Sequence, residues 1–202
     1  MTETAARPTN GDSERYTRVA VVLHWLIALM IVGQLAGGLF MVNLGQEQSS
    51  LKFQLFQWHK TFGITVLTLS LVRLGWRLTH KPPALPAGMS RWERRGARFS
   101  HIGFYVLMIA TPFLGWLYVS ASPFAESVPT YLFGVIPWPH IPGFAGLENR
   151  NDVAAAIAET HEIFAFAIIG LLALHIAAAL KHHFKDRDDV LARMVPGVRR
   201  RA

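Results

Sequence analysis

Four histidines stand inside long apolar runs of this chain: His24 in Val19–Val42, His59 in Phe53–Leu78, and both His161 and His175 in Ala154–Leu180. An ionisable side chain at membrane depth is costly unless something satisfies it, so each marks a candidate site. Taken singly, each is more readily a hydrogen-bonded packing residue than a ligand; taken as four, their depths decide. The 202 residues contain no cysteine. That excludes disulfides, thiolate zinc sites, iron–sulfur clusters and covalent C-x-x-C-H haem attachment, and leaves nitrogen or oxygen to hold any metal.

The elements that position these histidines are apolar helices. The chain is 51% hydrophobic and 16% charged, against roughly 25% charged in an ordinary soluble domain. Its apolar residues gather into four runs, the three above and His101–Ser120, which contains Pro112. Each run is long enough at about 1.5 Å per residue to cross a hydrocarbon core of about 30 Å. The expected fold is all-α: a transmembrane four-helix bundle over residues 19–184, with a tail at 1–18 and a basic tail at 185–202. Val19–Val42 exceeds a signal peptide's apolar region of about 7 to 15 residues and should stay in the mature protein.

Charge orients the bundle. Three basic residues precede the first run, seven lie from Arg73 to Arg98, and seven follow Leu180. The opposite side holds only Lys52, Lys60 and Arg150. Under the positive-inside rule both termini are cytoplasmic, and the net charge of +7 reflects topology and anionic lipid, with no need of nucleic acid. The loop from Ala121 to Asn151, with Phe124, Tyr131, Phe133, Trp138 and Phe144, reads as an interfacial cover. The stretch after Lys181 reads as a short amphipathic helix on the inner surface.

Orientation converts position into depth. His24, about 7 to 8 Å below the inner boundary, belongs to the inner half, and His59 to the outer half. His161 and His175 are fourteen residues apart, about 21 Å along the axis and about 40° short of four full turns, so they share a face at two depths. The depths pair His24 with His175 inside and His59 with His161 outside. Two facing imidazoles without cysteine or a carboxylate cluster suit the two axial positions of a haem iron better than zinc, which usually takes four ligands. Two pairs imply two haems. Small residues agree: Ala165, Ala178, Ala179 and Gly63 lie three or four residues after a histidine, leaving its face clear for a wide plate. Gly33 and Gly37 form a G-x-x-x-G that serves haem clearance or plain helix packing equally. His80 and His140 read as ordinary loop residues, and His182 and His183 as interfacial. His101 has three readings: partner of a haem propionate, wall of a quinone pocket, or headgroup residue.

Taken together, Tyr16-Thr17 leading to LHW at 23–25, WHKTFG at 58–63, LVRLGWR at 71–77, HIGFYVLMIATPFLG at 101–115, THE at 160–162, LHIAAALKHHF at 174–184 and LARMVP at 191–196 resemble the prokaryotic cytochrome b561 family. The resemblance implies a bacterial inner-membrane cytochrome with two b haems, axial ligands His24, His59, His161 and His175, and Arg73 and Arg77 placed for haem propionates, although snorkelling explains these arginines as well. It also implies superoxide oxidation on the outer side and ubiquinone reduction on the inner side. Lys52, Lys60 or Arg150 would then steer superoxide, and His101, Arg73 or Arg77 would contact quinone. The rival reading is a cytochrome b relay subunit linking a periplasmic or membrane dehydrogenase or hydrogenase partner to the quinone pool. A histidine-lined metal permease is a third, disfavoured because the spans lack the carboxylates that hard cations require.

Overall fold

The computed structural model describes residues 15–86 and 88–195. The expected N-terminal tail therefore lies largely outside the described residues, Arg7 with it; of the expected C-terminal tail residues 185–195 are described, and Arg199, Arg200 and Arg201 lie outside. Four long helices form the frame: α1 Arg18–Val42, α2 Ser49–Thr79, α3 Arg91–Ala121 and α4 Arg150–Lys181. Each contains one of the expected runs. Thr17 caps α1, its Oγ1 accepting from the Ala20 amide at 3.2 Å. The largest boundary difference is at α3, which starts ten residues before His101. Its cause is a capping box: the Ser90 hydroxyl accepts from the Glu93 amide at 3.3 Å, and the Glu93 carboxylate accepts from the Ser90 amide at 2.8 Å, so two otherwise unpaired donors are satisfied. The helix then continues unbroken through Pro112.

In sequence order α1 packs on α2, α2 on α3, and α3 on α4. By length and composition α1, α3 and α4 can cross a membrane. α2 is as long as α3 but carries Lys52, His59, Lys60, Arg73 and Arg77. Large apolar side chains face outward, Leu29 and Leu174 each at 68% exposure with Val106 and Ile163 nearby in value. Such a surface suits lipid and would aggregate in water.

The buried core is a thin layer of Ile27, Ile31, Val66, Met108 and Ile168. Four of these stand seven residues after a histidine: Ile31 after His24, Val66 after His59, Met108 after His101, and Ile168 after His161. Ile168 is also seven before His175. Seven residues are about two turns and about 10.5 Å, so one apolar layer, fed by all four helices, separates two histidine layers: one, here called inner, toward the end where α1 begins and α4 ends, and one, here called outer, toward the end that carries the α3–α4 connection.

The connection between α3 and α4 departs from the all-helical expectation. It holds an antiparallel hairpin, β1 Thr130–Leu132 and β2 Ile136–Trp138, with Thr130 opposite Trp138. Phe133 and Gly134 both take positive φ, 52° and 74°, as the tight turns that match strand twist require. The hairpin docks on α2: Lys60 Nζ donates to Thr130 Oγ1 at 3.1 Å and Thr61 Oγ1 to the Tyr131 carbonyl at 3.3 Å. Arg150 ties down the same connection, donating to the carbonyls of Ala121 at 2.9 Å and Ser122 at 2.8 Å.

After α4 the chain makes a π-helical turn, His182–Asp186, and a 3-10 turn, Leu191–Arg193, in place of the expected surface amphipathic helix. Lys181 Nζ donates to Glu93 and to Asp186, the latter at 2.7 Å. The turn folds back far enough for Trp25 Nε1 to donate to the Met194 carbonyl at 2.7 Å. His182 is buried, with Nδ1 2.6 Å from Asp188 Oδ2, so it is a hydrogen-bonded structural residue and not an interfacial one as its position at the helix end suggests.

Candidate functional site

Helix α1 presents His24 and α4 presents His175 at the inner end, with ring centroids 6.3 Å apart and planes at 56°. At the outer end His59 of α2 faces His161 of α4 at 6.2 Å and 74°. Two metal–nitrogen bonds of about 2.0–2.1 Å plus two ring radii, each about 1.1 Å for ring bonds near 1.33 Å, place the centroids about 6.3 Å apart. Both pairs thus have the spacing that one iron between two imidazoles requires. The four side chains are half-buried.

The outer pair is the better defined. His161 Nδ1 lies 2.8 Å from the Thr111 carbonyl oxygen. A carbonyl can only accept, so Nδ1 carries the proton and Nε2 keeps its lone pair for a metal. Gly115, one turn beyond Thr111 on α3, makes room for that ring: a Cβ there would stand 3.1 Å from His161 Cε1 and 3.4 Å from Nδ1. A Cβ at Gly38 on α1 would touch His59 Cε1 at 3.5 Å. His59 Nδ1 is buried and has no hydrogen-bond partner among the described residues, while Gln34 Nε2 donates to the backbone carbonyl of His59 at 2.9 Å. The two rings line a cavity of about 460 Å³ with walls of mostly apolar side chains, among them Ile31, Leu35, Met108 and Ile168. A drug-sized planar ligand needs roughly 300–1,000 Å³. Unpaired imidazole nitrogen, glycines beside both rings and an apolar slot of this size fit a haem.

At the inner end His101 of α3 also stands 6.3 Å from His175, and Phe104 meets the same ring edge-on at 5.2 Å. Arg73 reaches across to donate to the Ala20 carbonyl at 3.1 Å. Arg77 lies 5.9 Å from the centre of the Tyr105 ring. Both arginines line a cleft of about 30 Å³ with Trp76 and His80, room for about one or two waters. Of the outer cations, Lys52 Nζ is 3.5 Å from the Leu44 carbonyl, Lys60 is committed to Thr130, and Arg150 to the loop carbonyls.

Several residues differ from their sequence reading. A Cβ at Gly33 or Gly37 would meet nothing within 4 Å, so the G-x-x-x-G is not a close helix contact among the described residues. The glycine that clears an imidazole is Gly38, one residue on. Gly115 and Thr111 were invisible as site residues because their relation to His161 spans two helices; the only sequence signal was their spacing of four beside Pro112. His140 is no ordinary loop residue, since both of its ring nitrogens are buried without a partner among the described residues.

A family model for prokaryotic cytochrome b561 matches residues 15–197. The chain belongs to the prokaryotic cytochrome b561 family. It is 32% identical to cytochrome b561 homolog 2 of Escherichia coli over 183 residues, 90% of this chain and 92% of the relative. It is 27% identical to cytochrome b561 homolog 1 of the same organism, covering 90% and 97%. With a Yersinia pestis protein named probable superoxide oxidase CybB it shares 28% identity, covering 91% and 97%. As a cytochrome b561 it is a membrane electron-transfer protein that binds haem b. The matched region takes in both histidine pairs and the apolar layer between them.

Proposed function

We propose that this cytochrome carries single electrons across the bacterial inner membrane between two b haems, one between His24 and His175 and one between His59 and His161, and that it acts as a superoxide:ubiquinone oxidoreductase. The observation that carries the haem assignment is the pair of imidazole spacings, 6.3 and 6.2 Å, at two depths divided by one apolar layer. All four helices cross the membrane in this reading, with both termini cytoplasmic, because seventeen of the twenty basic residues fall on that side. Haem held there by these histidines would supply a one-electron iron couple suited to outer-sphere transfer.

The chain's own residues do the rest. Thr111 and Gly115 hold His161 in the tautomer and orientation of a ligand. Arg73, beside the inner pair, neutralises carboxylate charge at the cytoplasmic side. His101 and Arg77 supply donors to a quinone oxygen there. Lys52 raises the local concentration of a small anion at the outer face. In the overall reaction two superoxide anions each lose one electron to become dioxygen, and the two electrons with two cytoplasmic protons convert quinone to quinol. The relative named as a superoxide oxidase supports this substrate.

A second reading, a relay subunit that docks a redox partner, draws on one observation: Trp58, next to His59, stacks on Phe62 at 5.7 Å, and Phe62 meets Phe133 at 6.4 Å, all three well exposed. The test is a reduced-minus-oxidised spectrum with haem quantitation, then a superoxide pulse with and without quinone. Two haems per chain, reduced by superoxide and reoxidised by quinone, are expected. Two haems indifferent to superoxide would transfer the assignment to the relay, and a chain without haem would overturn both.

A further inference from the structure

The outer mouth of the large cavity collects hydrogen-bond donors that the fold itself leaves unused. Lys60, Thr130 and Trp138 line it. Trp138 Nε1 is buried without a partner among the described residues, and so are both ring nitrogens of His140. Lys60 Nζ spends one of its three N–H bonds on Thr130 Oγ1. The neighbouring Trp116 differs: its Nε1 donates to the Pro139 carbonyl at 2.9 Å, while its ring packs 5.4 Å from that of Trp138. That bond fixes the backbone between Trp138 and His140. The Ile141 amide donates to Ser120 Oγ at 3.0 Å on the far side, so the segment carrying Trp138 and His140 is held from both flanks. A buried donor without an acceptor is destabilising and is seldom left so in a native protein. The only carboxylate lining the same cavity among the described residues is Glu162.

Lys60 and Trp138 stand at the wall of a haem-sized slot, and the unpartnered ring nitrogens of His140 lie two residues beyond Trp138 on the same segment; a cation beside neutral N–H donors has the chemistry of a carboxylate receptor. A b-type porphyrin is apolar over most of its plate and carries its two acid side chains on one edge. We propose that Lys60, Trp138 and His140 bind the propionates of the haem held between His59 and His161, an inference that rests on the haem reading above. Burial, together with the nearby Lys60 and Arg150 charges, pushes the His140 imidazole below its ordinary range. The outer loop thereby becomes part of the cofactor site.

The test uses the full-length protein in detergent, loaded either with haem b or with its dimethyl ester, which keeps the plate and loses both carboxylates. Trp138→Phe with His140→Phe should release haem b from the outer site to a soluble scavenger about tenfold faster than the wild type does. With the dimethyl ester the two proteins should release it at equal rates. Lys60→Met should lower the midpoint potential of the outer haem only, and Lys60→Arg should restore it. A rate gap that persists with the ester, or no gap with haem b, overturns the proposal. If His59→Ala removes no haem from the wild-type background, the haem reading fails first and this proposal falls with it.

Discussion

Gly115→Ala is the sharpest test of the outer site, because the structure grades three glycines by what a methyl group would meet. At Gly115 the new Cβ would lie 3.1 Å from His161 Cε1 and 3.4 Å from Nδ1, tighter than carbon contacts of about 3.5–4.0 Å allow. The ring must retreat by several tenths of an ångström, away from the Thr111 carbonyl that now holds it at 2.8 Å. Overpacking of this kind costs about 1–3 kcal/mol, and disturbing the outer partner of a metal ligand typically lowers affinity about 10- to 100-fold; the two figures agree. At Gly38 the contact would be 3.5 Å, ordinary packing, so Gly38→Ala should change haem affinity by less than about threefold. Gly33→Ala meets no protein atom within 4 Å and should leave both imidazole rings in place. Each substitution also raises helix propensity by about 1 kcal/mol, so thermal stability of the haem-free chain should hold or rise. The assay is haem content and outer-haem release rate in detergent, read beside a thermal melt. Equal haem retention in all three variants would refute the role given to Gly115, and loss in Gly33→Ala would show that glycine position, not ring clearance, governs the site.

Four further outcomes follow from the same geometry. His24→Ala and His175→Ala should each remove one and the same haem, and His59→Ala and His161→Ala the other; loss of a single haem shared by His24 and His59 variants would break the pairing. His101→Ala should retain both haems, since His24 takes the position opposite His175; if instead His101→Ala empties the inner site and His24→Ala does not, the inner pair is His101 with His175. Lys52→Glu should slow superoxide oxidation several-fold at low salt and little above about 0.5 M, where the screening length drops to a few ångströms; a loss independent of salt would exclude steering. Arg150→Ala removes the donors to the Ala121 and Ser122 carbonyls and should lower stability by about 2–4 kcal/mol, seen as a fall in melting temperature, with Arg150→Lys intermediate.

What the sequence made legible was depth. The four apolar runs and the level of each histidine follow from a one-dimensional count, and that count sufficed to propose which imidazoles face each other. What it could not supply was anything that depends on rotation between helices. His101 sits at the inner level by count, but only the packing of α3 on α4 shows that it approaches His175 as closely as His24 does. Gly33 and Gly37 have the spacing of a contact motif, yet the face of α1 that meets α2 is the one bearing Gln34 and Gly38, four residues apart and one step round the helix. The hairpin eluded reading because its strands are three residues long and its turn is announced only by Gly134. The buried His182 eluded it because the acidic partners Asp186 and Asp188 follow it in sequence, where they look like a solvated charge run.

The arrangement also explains how one helix can serve both pairs. α4 contributes His161 to a partner on α2 and His175 to a partner on α1, although both histidines lie in one row of its surface. An ideal α-helix drifts about 20° per seven residues relative to a strict heptad. Over the fourteen residues between His161 and His175 the row therefore turns by about 40°, enough to shift its aim from one neighbour to the next. A supercoiled helix, which cancels this drift, would point both imidazoles at the same partner. The midpoint of the row is Ile168, 4% exposed, where α4 meets the layer formed by Ile31, Val66 and Met108. The drift thus separates the pairs laterally while the apolar layer separates them in depth.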